Sequence, residues 1–253
     1  MKVELISFRY NMRARKRLNL LAELVNRSQS DLVVFCGYSI FYQDSIPELQ
    51  KMLKNKKSIV LFEVRNTVDG KETKGLFVIK NGKILNLHTS QLFVDSKDIK
   101  NNEALGERFI YELETKRSFR VSGKSCLVIQ CGENNIIRNI QKEENRPVFR
   151  FQKRPDLGDR FKKLLMETDI ILNPIHTPMG NQPKMQKRRE YLSADGRCYF
   201  SVSQLGTGKQ NENYLDMAKK SKRLQYAYYD GQPINAYIDY PCEDYKQRIY
   251  DIL

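Results

Sequence analysis

The sequence predicts an α/β domain, and three observations predict it. Short apolar runs rich in β-branched residues recur along the chain: Leu32-Val33-Val34-Phe35, Leu127-Val128-Ile129 and Ile170-Ile171-Leu172. Runs of this length read as buried strands of a sheet with both faces covered. An amphipathic stretch from Arg13 to Asn26 lies between the first strand and the second, as a βαβ unit requires. Asn81-Gly82, flanked by apolar residues, is the strongest short hairpin signal there is, so antiparallel strands are added to the parallel ones. A chain of 253 residues can form one such domain, because α/β sheets often run past ~200 residues undivided. Residues 1–253 are therefore assigned to a single domain.

Each element follows from local pattern. Lys2 to Phe8 is the first strand, and in the Arg13–Asn26 helix Leu18, Leu21, Leu24 and Val25 share one face behind a basic start. Leu32 to Phe35 ends at Cys36-Gly37-Tyr38. Ile46 to Leu53 is a helix with Pro47 in its first turn, where a missing N–H costs little. Ser58 to Val64 is the next strand, and Gly75 to Leu87 is the Asn-Gly hairpin. Ser90 to Gly106 reads as a polar loop, Arg108–Leu113 and Ser118–Val121 as strands, and Lys124 to Arg138 as strand, turn and helix. Lys142 to Pro155 reads as a solvated linker before a helix at Leu157–Glu167 and a strand at Asp169–Pro174. Met185–Leu192 is helical and Cys198–Ser203 a strand, followed by a hairpin of Leu224–Tyr229 and Ile234–Ile238 around Asp230-Gly231.

Composition narrows the function classes. The absence of a signal-like start or of an apolar run near the ~18 residues of a membrane span leads us to expect a cytoplasmic protein without membrane contact. Five cysteines, widely spaced and without a CxxC pair, favour reduced thiols over a disulfide framework or zinc site; no metal or cofactor is expected. The formal charge of +14, from 44 Lys+Arg against 30 Asp+Glu, favours polyanions, so nucleic acid or an acidic partner is considered. The densest clusters are Arg13–Arg17, Lys184–Arg189 and Lys219–Arg223, each of which also reads as a solvated helix face. Tyrosines crowd the last part, from Tyr226 to Tyr250. The hairpin and tail from about residue 210 are expected at the interface of a homo-oligomer, where such rings pack.

The stretch Leu127 to Arg138 carries the chemistry. Cys131-Gly132 breaks the apolar run where the chain leaves the sheet. A thiol at such a strand end can face an open pocket as a nucleophile; the duller reading is a small buried cysteine.

In order along the chain, these pieces resemble the carbon-nitrogen hydrolase (nitrilase/amidase) superfamily. Ser30 to Phe35 is similar to the strand that leads into Pro-Glu, and Asn81 to Phe93 to the segment carrying a lysine. Leu127-Val128-Ile129-Gln130-Cys131-Gly132-Glu133 is similar to the strand and elbow of the nucleophile, Asp169 to Pro174 to the next strand, and Tyr191 to Gln204 to an Arg-Ala-x-Glu-Asn segment. The resemblance implies a four-layer α-β-β-α sandwich that dimerises through its outer helices. It also implies a cysteine that attacks a nitrile or amide carbon, a glutamate that moves the proton and a lysine that stabilises the oxyanion.

Carried over by position, the nucleophile falls on Cys131 and a nearby acidic residue on Glu133. The glutamate falls on Gly37 and the lysine on Thr89 or Ser90, and Ser193-Ala194-Asp195-Gly196-Arg197 replaces the later motif. Thiols ionise near pH ~8.5, and neither Gly37 nor Thr89 can activate one. Two readings follow: a pseudoenzyme whose basic surface binds nucleic acid or an acidic partner, or an amide or nitrile hydrolase with relocated groups. Glu63, His88 and His176 are the candidates for a common pocket. Each also has an ordinary structural reading: Glu63 at a strand edge, His88 in a loop, His176 capping local carbonyls.

Overall fold

Two sheets stack face to face, and helices cover both outer surfaces. The structure is a computed structural model and describes every residue except 69–70, 179–181, 221–223 and 253. Most of the Lys219–Arg223 cluster thus lies outside the described residues. The chain runs β1 (Lys2–Phe8), α1 (Ala14–Arg27), β2 (Leu32–Phe35), α2 (Ile46–Met52), β3 (Ile59–Val68), β4 (Lys71–Lys80), β5 (Lys83–Ser90), α3 (Ser96–Ile99), α4 (Glu103–Thr115), β6 (Ser118–Val121) and β7 (Lys124–Val128). After a 3₁₀ turn at Cys131–Ile136 come β8 (Ile137–Ile140), β9 (Arg146–Phe149), α5 (Pro155–Met166), β10 (Ile170–Pro174), α6 (Gln182–Ser193) and β11 (Cys198–Val202). The chain closes with α7 (Tyr214–Lys220), β12 (Gln225–Tyr229), β13 (Gln232–Pro233), β14 (Ile238–Pro241) and β15 (Tyr245–Asp251).

The first sheet has the order β14-β15-β1-β2-β3-β4-β5 and the second β13-β12-β11-β10-β7-β6. In each, the central strands are parallel: β1, β2 and β3 in one, β7, β10 and β11 in the other. Alternation along a strand sends successive side chains to opposite faces. Cys126, Val128, Ile170, Leu172 and Phe200 accordingly join the core shared with the first sheet. Leu127, Ile129, Ile171 and Tyr199 join a second core under α4, α5 and α6. Helix α1 covers the far side of the first sheet with Leu18, Leu21 and Val25. Both sheets and both helix layers of the α-β-β-α sandwich are present.

Several expectations are corrected. Arg108–Leu113 is part of α4, not a strand: Phe109, Ile110 and Leu113 are buried on one helical face, and the Asn102 side chain accepts from Leu105 N at 3.1 Å as an N-cap. The polar loop holds α3, capped by Asp95, and the linker holds β9, whose Val148 and Phe149 are buried. The last hairpin is cut short at β13, because β14 crosses to the first sheet and pairs with β15. β15 pairs with β1 along seven residues, so the C-terminal segment is built into a sheet, with Tyr245 and Tyr250 in its core and Tyr237 and Tyr240 exposed. Arg17, read as part of a basic flank, is fully buried.

Candidate functional site

The second sheet delivers the thiol. Past β7, Ile129 N still donates to Leu172 O at 2.9 Å; the chain then turns, and Cys131 opens the 3₁₀ turn with φ +29. A non-glycine residue with positive φ is strained and held by its surroundings. Two contacts hold this one. A Cβ on Gly132 would lie 1.6 Å from Val94 O, so the Val94 backbone rests directly on the turn. Glu133, fully buried, accepts from Gln130 N at 2.8 Å and Leu92 N at 2.7 Å, and pairs with Arg117 at 2.5 Å.

Arg117, also fully buried, donates Nε to Thr89 Oγ1 at 2.9 Å and Nη2 to Ser90 O at 2.8 Å. Its Nη2 also reaches Glu112 at 3.1 Å. Glu133 and Thr89 therefore belong to one buried ionic network beneath the elbow.

The first sheet delivers the carboxylate, and the second delivers the histidine that meets it. Glu63 in β3 is fully buried. Its Oε1 lies 2.6 Å from His176 Nε2 and accepts from Tyr38 N at 2.9 Å; its Oε2 accepts from Gln130 Nε2 at 2.7 Å. His176 enters from the end of β10 and also interacts with the Cys131 thiol. With Nε2 committed to Glu63, Nδ1 is the ring nitrogen left for sulfur. Burial alone would lower the basicity of the ring, but the Glu63 charge and the hydrogen bonds to Cys131 and Glu63 outweigh it and raise its pKa to about 10. Burial works against the Glu63 carboxylate too, and His176 overcomes it, holding Glu63 below the usual range.

Gly37 makes room for the ring: a Cβ there would come within 2.3 Å of His176 Cδ2. The Tyr38 ring stacks on the imidazole, centroids 4.0 Å apart and planes at 20°. The loop is fixed by Gly37 N to Ile175 O at 3.0 Å, Gln204 Nε2 to Gly37 O at 3.0 Å and Arg17 Nη1 to Tyr38 O at 2.8 Å.

Cys131 is half-buried and opens into a cavity of about 650 Å³, bordered by Arg138, Arg150, Lys184 and Arg188. Burial pushes the thiols of Cys36 and Cys198 up to about 11 and that of Cys126 to about 12, so these three are inert near neutral pH.

Of the residues picked from sequence, the structure brings Cys131, Gly37, Glu63 and His176 together. Glu133 lies in the same turn, with its oxygens taken by Arg117 and two backbone N–H groups. His88 and Thr89 are corrected: they border a separate depression with Asn66 and Asn86. His88 is exposed on β5, and the Thr89 hydroxyl donates to Glu112. Sequence reasoning missed Tyr38, Gln130 and the arginines of the cavity. Only Arg188 had a signal, the Lys184–Arg189 cluster, and its helical position did not say which side faces inward.

No protein-family model matches the sequence, and no curated protein sequence matches it. Solved structures do. An amidase of the nitrilase superfamily from Nesterenkonia sp. AN1 superposes with a TM-score of 0.57 at 8% identity, over 99% of this chain and 90% of that one. A CN-hydrolase superfamily protein from Xanthomonas campestris, which carries an arsenic adduct in its active site, gives 0.52 at 13% identity over 99% and 90%. A glutamine-dependent NAD(+) synthetase from Cytophaga hutchinsonii gives 0.56 at 9% identity; the whole of this chain spans only 43% of it. At these identities the likeness is one of fold.

Proposed function

We propose that this chain, which has the carbon-nitrogen hydrolase fold, is a cysteine hydrolase of amide C–N bonds that works through Cys131, His176 and Glu63. The observation that carries the proposal is the buried Glu63–His176 pair, 2.6 Å apart, whose imidazole also engages the half-buried thiol. A nucleophile, a base and a group that orients the base form the arrangement by which a weak nucleophile is activated.

In the proposed cycle His176 already holds the Cys131 proton as an imidazolium, a state the neighbouring Glu63 charge favours, and the sulfur attacks the amide carbon. Glu63 fixes the ring orientation through Nε2 and balances the imidazolium. The C–N bond then breaks, the amine leaves with the proton returned by His176, and a thioester remains on sulfur. Water attacks the thioester, His176 takes the water proton and returns it to sulfur, and a carboxylic acid departs. Gly37 and Thr89, where the resemblance places the family's glutamate and lysine, supply neither group. The base comes instead from the end of β10 and its carboxylate from β3.

Iodoacetamide labelling read by peptide mapping tests this. Cys131 is expected to react well ahead of Cys242, the other half-buried thiol. His176→Gln or Glu63→Gln should slow Cys131 by about a hundredfold, the scale of a lost general base, with Cys242 unchanged. Equal rates at the two thiols, or a Cys131 indifferent to both variants, would overturn the proposal.

A further inference from the structure

We infer that the substrate is a small anion: an amide whose non-reacting part carries a phosphate or a pair of carboxylates, seated on Arg138, Arg150 and Arg188 beside Cys131. This rests on the hydrolase reading for the word amide, and on the cavity alone for the anion.

Among the described residues, the cavity that exposes the thiol is bordered by four cationic side chains and no carboxylate. Among the described residues, Arg150 and Arg188 have only neutral partners. Arg150 Nε donates to Asn135 O at 2.6 Å; Arg188 donates Nε to Asn139 Oδ1 at 2.8 Å and Nη1 to Asn135 Oδ1 at 3.0 Å. Neither these two nor Arg138 makes an ion pair among the described residues. Elsewhere arginines find carboxylates even at the surface: Arg154 pairs with Asp156 at 2.7 Å and Arg160 with Glu114 at 2.7 Å.

The cluster also opposes itself. Burial and then the Arg138 charge reduce the basicity of Arg150, while burial and then Arg150 bring Arg188 down to about 10. Three arginines gathered in a concavity without a carboxylate partner among the described residues favour an anion that neutralises several at once, and guanidinium forks match phosphate and carboxylate oxygens. The cations sit inside a pocket of about 650 Å³, the size of a small-molecule site, which argues for a compact ligand over a nucleic-acid strand. Asn134, at the base of the same wall, is held by Nδ2 bonds to Asn173 Oδ1 at 2.8 Å and Tyr199 OH at 3.2 Å.

Calorimetric titration of the full chain carrying Cys131→Ala with inorganic pyrophosphate and with citrate tests the anion site without any need for reactivity. Saturable one-site binding of at least one probe is expected, weakened about tenfold or more by Arg138→Gln or Arg150→Gln, the scale of a lost charge-assisted contact. Lys162→Gln, on the exposed face of α5, should leave it unchanged. No saturable binding of either probe, equal binding in the arginine variants, or preference for a single-stranded oligonucleotide over both would overturn the inference. A dead Cys131 in the labelling experiment alongside arginine-dependent pyrophosphate binding would overturn the hydrolase reading alone.

Discussion

Gly37 and His176 occupy one space: a Cβ on residue 37 would lie 2.3 Å from His176 Cδ2 and 2.9 Å from Nε2. The missing side chain after β2 and the histidine after β10 are therefore one feature. The glycine is where it is because the imidazole reaches across the gap between the two sheets to Glu63.

Gly37→Ala should separate them. The new methyl meets a ring held by stacking on Tyr38 and by Glu63, with the His176 backbone N only 3.0 Å away, so the ring must leave its place. We expect a loss of about 1–3 kcal/mol, typical of overpacking, together with slower alkylation of Cys131. Urea denaturation and labelling check both, and an alanine variant as stable and as reactive as the parent would contradict the shared-space account.

The Glu63–His176 pair also predicts a pH dependence. A raised histidine pKa contributes stability that is complete below the unfolded value of 6.5 and is lost as pH rises toward about 10. A lowered glutamate pKa contributes stability that is present above 4.5 and lost in acid. The pair is thus worth most between roughly pH 4.5 and 6.5. Glu63→Gln should cost about 3–5 kcal/mol near pH 6, as removal of one buried partner does. The gap to the parent should narrow as pH climbs from 6.5 to about 10, and denaturant melts across that range that show a constant gap would refute it.

How much of this was legible in the sequence depends on the distance over which each signal acts. The strand of Leu127–Ile129 and the thiol at its end are local patterns, and they read correctly. Glu63 and His176 were visible as residues, but their meeting is not local: they are separated by 113 positions and come from different sheets. Arg108–Leu113 misled because a short apolar cluster fits both periods; the Asn102 cap, six residues upstream, was the deciding sign. The inward turn of Arg188 and Arg17 was hidden because a charge cluster on a helix does not reveal which side the core covers.

Glycine substitutions should split in sign. A Cβ on Gly132 would overlap Val94 O at 1.6 Å and its carbonyl carbon at 2.4 Å; both are backbone, so the segment carrying the Leu92–Glu133 bond must move. Gly132→Ala should cost about 3 kcal/mol or more. Gly158, inside α5, has only an ordinary contact with Phe149 at 3.7 Å, and Gly158→Ala should stabilise by about 0.5–1 kcal/mol through helix propensity. Thermal melts of the two variants side by side decide: a Gly132→Ala variant as stable as the parent would show that the turn yields more easily than the packing indicates, and a destabilised Gly158→Ala would refute the helix-propensity gain.

Arg117 supplies the sharpest test of what Glu133 does. Its guanidinium is fully buried between Glu133 and Glu112 and ties Ser90 and Thr89 to the elbow. Arg117→Met leaves Glu133 without its cation and Glu112 with only the exposed Arg108 at 3.4 Å, and should cost about 3–5 kcal/mol. Glu133→Gln keeps one acceptor oxygen, enough for Leu92 N or Gln130 N but not both, removes the charge and should cost less than the loss of Arg117. Adding it to Arg117→Met should recover part of the loss, because one buried charge no longer needs a partner. If Glu133 positions the turn rather than moving protons, the folded fraction of Glu133→Gln should alkylate Cys131 at near the parent rate with an unchanged pH profile. A profile that loses a limb while stability holds would instead assign Glu133 a proton-transfer role.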